Sequence, residues 1–177
     1  MPSSALEASA FNSRDAVSSF VRAGLATAII DGLFSSVLSV AAYGSTVSRL
    51  FQGVASTVLG ASALTGGAGT FALGLLMHFA VAFAWSAVFV FGLMRSARIR
   101  SVLASRYGVL KVASIYGPAI WLVMSLVVIP ILTRRPPTIS VRWLVQLLGH
   151  FPFVGTPIVA LASRSMTRTQ STAASAA

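Results

Sequence analysis

The chain has 177 residues, of which 56% are hydrophobic and only 9% are charged, whereas a soluble domain has about 25% charged residues. The net charge is +10, but the basic residues stand between long apolar segments and form no nucleic-acid-binding run. Cysteine is absent, which excludes disulfides, thiolate nucleophiles and thiolate metal sites. This composition predicts one membrane domain, with the lipid bilayer as its main partner and no nucleic acid.

Residues 1–21 are rich in Ser and Ala and contain no long apolar run. We expect a mobile N-terminal tail here, with a short surface helix over Ser13–Arg22. A bacterial signal peptide is the alternative, because Arg22 precedes an apolar stretch. The two acids of this region, and the interruption of the apolar stretch at Asp31, favour a span that is retained.

The first predicted span, residues 23–43, is marginal because it contains Asp31. Its eight Leu, Ile, Val and Phe residues favour insertion by about 2.4–4.8 kcal/mol in total, and one central Asp costs about 2.5–3.5 kcal/mol. Neighbouring helices must therefore stabilise this span, and Asp31 is expected to point into the bundle. Small residues at fourfold spacing predict the contact face: Gly24, Ala28, Gly32 and Ser36.

Residues 44–69 lack the continuous apolar length of a span. The pattern over Ser48–Leu59 predicts a short amphipathic helix in the membrane interface. A Gly-rich phosphate loop at 66–69 is the alternative, but no Lys follows it and no strand precedes it. The lipid side of the helix is predicted to be Val47, Leu50, Phe51, Val54 and Val58.

The second predicted span, residues 70–94, contains no Lys, Arg, Asp or Glu. A helix of this length is roughly 37 Å long, which exceeds the ~30 Å hydrocarbon layer, and a core helix of a soluble domain rarely needs this length. Fourfold spacing separates two rows of side chains. Thr70, Gly74, His78, Ala82 and Ser86 are predicted to face protein, and Phe71, Leu75, Phe79 and Phe83 to face lipid.

A basic loop without acids follows the second span and predicts a cytoplasmic connection. The third span is predicted at residues 110–132 and the fourth at residues 143–162, and the tail over residues 164–177 is expected to be disordered. Proline removes a backbone hydrogen bond from a helix. Helix breaks are therefore predicted at Pro118, Pro152 and Pro157.

Four spans place both termini on one side of the membrane, and the basic residues decide which side. Nine of them lie on the terminal side and four on the other, so both termini are predicted to be cytoplasmic. The nine are Arg14, Arg22, Arg95, Arg98, Arg100, Arg106, Lys111, Arg164 and Arg168, and the four are Arg49, Arg134, Arg135 and Arg142.

Asp31, His78 and His150 are the only Asp and His residues inside the predicted spans. Counting 1.5 Å per residue places all three in one central slab. Ionisable residues at this depth pair with one another and are candidates for function. Gln146 lies one turn from His150, and the prolines of the fourth span free carbonyl groups nearby, so we predict a polar intramembrane cluster in a small cavity.

Three roles for the cluster stay open at the level of sequence. It can be interhelical hydrogen-bonding structure, a proton or small-solute passage, or the axial ligand set of a haem or chlorophyll-type macrocycle held by His78 or His150. The cofactor is thus unknown. The absence of HExxH and GxSxG motifs and of a second carboxylate predicts no metal site and no enzymatic activity.

Several short segments together resemble a family of small uncharacterised bacterial four-helix integral membrane proteins. The resemblance covers residues 22–163 and implies a four-span bundle in the bacterial cytoplasmic membrane that carries the Asp, His and His positions. The family commonly has Asn where this chain has Ser125, which weakens one polar position. The segments are Ile30–Gly32, Ala55–Gly67, Gly74–Phe79, Met124–Pro130 and His150–Ile158.

The sequence therefore predicts an all-α, polytopic four-helix bundle over residues 22–163 with a short interfacial helix. Its expected function is that of a structural or accessory membrane subunit. A small-solute or proton permeability protein and a cofactor-binding electron-transfer subunit are the alternatives. A homo-oligomer and a larger membrane complex both remain open.

Overall fold

The structure, a computed structural model, describes residues 13–164, so the predictions for residues 1–12 and 165–177 lie outside the described part. All regular elements in the described part are helical. Four helices are long and apolar enough to cross a membrane, which confirms the all-α polytopic fold. They are span 1, Asp15–Ala42; span 2, Gly67–Arg95; span 3, Gly108–Thr133; and span 4, Val141–Arg164.

Each span is an α-helix that includes one π-helical turn, a rare element that widens the helix locally. The π-helical turns are Leu38–Ala42, Val88–Gly92, Met124–Val128 and Phe151–Gly155. The α-helices are α1 Ser13–Val37, α2 Val47–Leu59, α3 Gly67–Ala87, α4 Ala97–Leu103, α5 Gly108–Val123, α6 Ile129–Thr133, α7 Val141–His150 and α8 at residues 156–164.

Helix α1 starts earlier than the sequence predicts, because residues 13–21 continue the span without a break. Ala16 and Ser19 are buried, and the ring of Phe20 packs against the rings of Phe83 at 5.3 Å and Phe91 at 5.4 Å. These contacts stabilise the first turns of the helix, so the region is part of the bundle and not a separate tail.

The spans pack in sequence as antiparallel neighbours. Span 1 lies along span 2, and span 3 lies along span 4. The two pairs meet where α1 contacts the π-helical turn Phe151–Gly155 and where the Tyr116 hydroxyl donates to the Trp85 carbonyl at 2.7 Å. We call the end where the described chain begins and finishes the terminal end, and the opposite end, which holds α2, the α2 end.

Helix α2 packs mainly against α3 and also contacts α6 and the π-helical turn of span 1. Thr46 caps its start: the Thr46 hydroxyl accepts a hydrogen bond from the Arg49 amide at 3.0 Å. A Cβ at Gly74 would meet the backbone of Phe51 and the Ala55 nitrogen at 3.2 Å. Phe51 is therefore only 5% exposed, and its predicted place on the lipid side is wrong because α2 packs on Gly74.

The two predicted rows of span 2 are partly reassigned. Ala82 and Ser86 are buried as the sequence indicates. Phe83 and Phe71 do not point away from protein: Phe83 lies over Gly24, 2.6 Å from where a Cβ would stand, and Phe71 meets Phe51 edge-on at 5.6 Å. The exposed row is instead Ala72, Leu76, Ala80, Ala84 and Val88.

The three prolines do not break their helices. Pro118 lies inside α5, Pro152 lies in a π-helical turn and Pro157 lies in α8. A π-helical turn absorbs the missing hydrogen bond beside Pro152, and the Thr156 hydroxyl donates to the Phe151 carbonyl at 3.0 Å. The chain therefore stays helical at all three prolines. The α-helical pattern changes to a π-helical turn at Pro152, whereas it continues through Pro118 and Pro157.

Candidate functional site

The centre of the bundle brings Asp31 of α1 against His78 of α3. The His78 Nε2–H donates to the Ala28 carbonyl at 2.9 Å, and Nδ1 lies 4.0 Å from Asp31 Oδ2. The two side chains are only 15% and 16% exposed. The distance of 4.0 Å is too long for a direct hydrogen bond, so the carboxyl and the imidazole are neighbours with a gap between them.

Small residues on α1 make room for the imidazole. A Cβ at Gly32 would stand 3.3 Å from His78 Nε2, and Ala28 is fully buried. A larger side chain at either position would push the ring away from the Ala28 carbonyl. The small row of span 1 thus positions His78 as well as allowing close helix packing.

The Asp31 carboxyl is incompletely satisfied. Its Oδ1 atom is buried and has no hydrogen-bond partner within residues 13–164. Buried polar atoms almost always have a partner, and leaving one without costs about 1–3 kcal/mol. A group of this kind in an apolar slab is a candidate for function.

His150 approaches the same centre from span 4. Its Nδ1–H donates to the Gln146 carbonyl at 2.7 Å, and the side chain is 8% exposed. Asp31 lies within electrostatic range of both His150 and His78. Gln146 contacts the cluster through its main-chain carbonyl, which accepts the hydrogen bond from His150. The sequence had instead suggested Gln146 as a polar side chain of the cluster.

Each histidine of the cluster has an aromatic neighbour. The Phe51 ring of α2 lies 5.7 Å from the His78 ring, and the Trp121 ring lies 4.8 Å from the His150 ring. Elsewhere between spans 1 and 4, Phe34 stacks on Phe153 at 4.1 Å. Apolar neighbours of this kind lower the local dielectric constant and strengthen electrostatic interactions.

Further buried polar atoms without partners extend from the cluster towards both ends of the bundle. Thr27 Oγ1 lies one turn from Asp31 towards the terminal end, and Ser86 Oγ lies two turns from His78 in the same direction. Towards the α2 end follow Trp121 Nε1, Ser125 Oγ and Trp143 Nε1.

Trp121 is a neighbour of His150 that was not predicted from the sequence. A signal was present, because Gly117, Trp121 and Ser125 recur every four residues and so share one face of span 3. Gly117 on this face packs against Gly155, whose amide nitrogen would be 3.0 Å from a Cβ at Gly117. The close approach at Gly117 is what brings Trp121 against His150.

No group of three or more His, Cys, Asp and Glu side chains within residues 13–164 is arranged to hold a metal ion. Within residues 13–164, the ring nitrogens that make no backbone hydrogen bond are His78 Nδ1, which faces Asp31, and His150 Nε2.

Comparison of the chain with protein-family models, with curated proteins and with solved structures found no match.

Proposed function

We propose that the protein conducts protons across the bacterial cytoplasmic membrane through the cluster of Asp31, His78 and His150. The observation that carries this proposal is the Asp31 carboxyl: one oxygen has no partner, and the other lies 4.0 Å from His78 Nδ1. A purely structural contact would gain its stability from completed hydrogen bonds. A proton carrier instead needs a group that can gain and lose a proton without dismantling the fold.

The tautomer of His78 suits this role. Because Nε2–H donates to Ala28, the neutral ring presents the Nδ1 lone pair to Asp31. A proton that moves from the carboxyl to Nδ1 leaves a carboxylate and an imidazolium. The imidazolium then gives up a proton to a water molecule on one side, and the carboxylate takes up a proton from water on the other side, which restores the starting state. One water molecule is enough to bridge a gap of 4.0 Å.

The unpartnered hydroxyls supply the rest of the path. Thr27 and Ser86 lie between the cluster and the terminal end, and Ser125 lies between the cluster and the α2 end. Each hydroxyl can donate and accept, so a chain of water molecules that bonds to them would pass protons in either direction. The same water molecules would satisfy buried atoms that otherwise cost free energy.

The direct test is proton flux into vesicles that contain the purified protein and a pH-sensitive dye, driven by a potassium gradient with valinomycin. We expect the wild type to acidify the vesicles faster than protein-free vesicles do. Asp31→Asn should reduce the flux to the protein-free level at unchanged thermal stability, because an amide cannot carry the proton. Wild-type flux no greater than that of protein-free vesicles would refute the proposal.

The matched control is Asp15→Asn, which removes the other described acid from the same helix at a distance of four turns. It should leave the flux unchanged. Equal flux from wild type and Asp31→Asn would show that any conduction bypasses the cluster.

A structural or accessory subunit is the second candidate, and the bond between His78 Nε2 and the Ala28 carbonyl favours it because it links span 1 to span 2. In that case His78→Ala lowers stability and any cellular phenotype follows protein abundance. Purification from the native membrane would then identify a partner that co-purifies. An absorbance spectrum of the same sample tests the cofactor alternative, since a bound haem gives a Soret band.

The proposal also includes an orientation. The terminal end faces the cytoplasm because, within residues 13–164, eight basic residues belong to that side and four to the other. A reporter that works only in the cytoplasm should be active after Arg168 and between Arg98 and Tyr107. It should be inactive between Arg135 and Ser140. Reversal at two of the three positions would overturn this topology.

A further inference from the structure

A cavity of about 240 Å³ opens at the α2 end, between span 3, the start of span 4 and the loop that joins them. It lies beyond the cluster of Asp31 and the two histidines, and Trp121, which lines it, has its ring 4.8 Å from that of His150. Its size suits part of a small molecule or a lipid head group. Its wall includes Trp121, Ser125, Ile129, Arg135, Pro136 and Trp143.

The polar groups of this wall are mainly hydrogen-bond donors. Ser125 is 7% exposed, and its hydroxyl has no partner in the described part of the chain. The indole N–H groups of Trp121 and Trp143 are likewise buried without a partner there. Arg135 adds a guanidinium with five N–H donors. A ligand that completes this set must therefore be rich in acceptor oxygens.

The charge of the region also favours a ligand rich in acceptor oxygens. The acids of the described chain are Asp15 and Asp31, and both lie on α1. The loop and the start of α7 instead contain three arginines, of which Arg142 stacks on the Tyr43 ring at 4.2 Å. An anionic occupant is thus favoured over a neutral one.

We propose that this cavity binds a phosphate group carried on an amphipathic molecule. The guanidinium of Arg135 matches the geometry of phosphate oxygens and can contact two of them at once. Indole, proline and isoleucine side chains offer an apolar wall to the remainder of the ligand. The position at the end of two spans is the depth at which membrane lipids carry their phosphates.

Tryptophan fluorescence can report binding directly. The chain has three tryptophans, and Trp85→Phe leaves Trp121 and Trp143, which both line the cavity. This variant, in detergent micelles, is titrated with short-chain phosphatidylglycerol and, in a separate arm, with inorganic phosphate. We expect a saturable change in emission, with apparent affinity about tenfold weaker in Arg135→Gln because a charged hydrogen bond is lost.

The matched control is Arg98→Gln, which removes an exposed arginine at the terminal end and should leave the titration unchanged. Ser125→Ala should weaken binding a few-fold, since one donor is lost while the charge stays. Saturation with phosphatidylglycerol alone would identify the source as lipid, and saturation with inorganic phosphate as well would identify a free phosphate. No saturable response in either arm, or an equal response in Arg135→Gln, would overturn the proposal.

Discussion

The two pairs of spans are held together in different ways. Span 1 meets span 2 through the ends of side chains, with the Phe83 ring over Gly24 and the His78 ring beside Gly32. Span 3 meets span 4 through backbone: a Cβ at Gly155 would stand 2.5 Å from the Ala113 carbonyl, and Gly117 lies against the His150 carbonyl.

This difference separates an adjustable contact from a rigid one. An aromatic or imidazole ring can shift by a few tenths of an ångström when its side-chain torsions change. A helix backbone cannot shift without moving the whole span. The pair of spans 3 and 4 is therefore the frame that holds His150 in place. The pair of spans 1 and 2 is the part that can accommodate movement of Asp31 and His78.

The largest effect is expected for Gly117→Ala, because the new methyl group would meet the His150 carbonyl and the Gly155 amide at once. We expect a loss of about 3 kcal/mol or more in the free energy of unfolding, or failure to fold. Thermal unfolding in detergent measures it. Gly53→Ala, where a Cβ would meet nothing within 4 Å, is the control, and equal melting temperatures for the two variants would contradict the rigid contact.

Gly74→Ala should lower the free energy of unfolding somewhat less, by about 2–3 kcal/mol. Its methyl group would also meet backbone, that of Phe51 and Ala55, but α2 is a short helix that can move away as a unit. Hydrogen exchange along α2 should increase more than exchange in the spans. Unchanged exchange in α2 would show that this helix does not depend on Gly74 for its position.

Gly24→Ala should lower the free energy of unfolding by about 1–2 kcal/mol, because the new methyl group displaces the ring of Phe83. The double variant Gly24→Ala with Phe83→Leu should recover part of the loss, since leucine leaves room for the methyl group. Thermal unfolding of the single and double variants gives the coupling between them. Strictly additive effects would mean that the two residues do not touch.

The smallest loss of stability is expected at the contact between the two pairs of spans, here called the seam. Tyr116→Phe removes the hydroxyl that donates to the Trp85 carbonyl at 2.7 Å, and we expect a loss of about 1 kcal/mol. The ring contact of Tyr116 with Phe89 at 4.9 Å stays in place. A loss as large as that of Gly117→Ala would show that the seam, and not the backbone contact of spans 3 and 4, dominates stability.

Much of the candidate site follows from residue type and position along each span. The depth of Asp31, His78 and His150 could be counted from the helix ends, and the structure places them close enough for their charges to interact. The hydrogen-bond partners of the two histidines could not be predicted from position along the span. His78 bonds to a carbonyl on another helix and His150 to one on its own, and main-chain acceptors leave no signal in a sequence pattern.

The sequence by itself determined the four apolar helices, the small-residue row of span 1 and the depth of the polar residues, because length, hydropathy and spacing are local properties of the chain. Only the tertiary structure decided that Phe51 and Phe83 turn inward, that α2 packs on Gly74, and that a proline-containing span stays continuous. The physical reason is that each of these depends on the shape of a neighbour. A ring turns inward where a facing glycine leaves room, and a freed carbonyl is tolerated where another helix covers it.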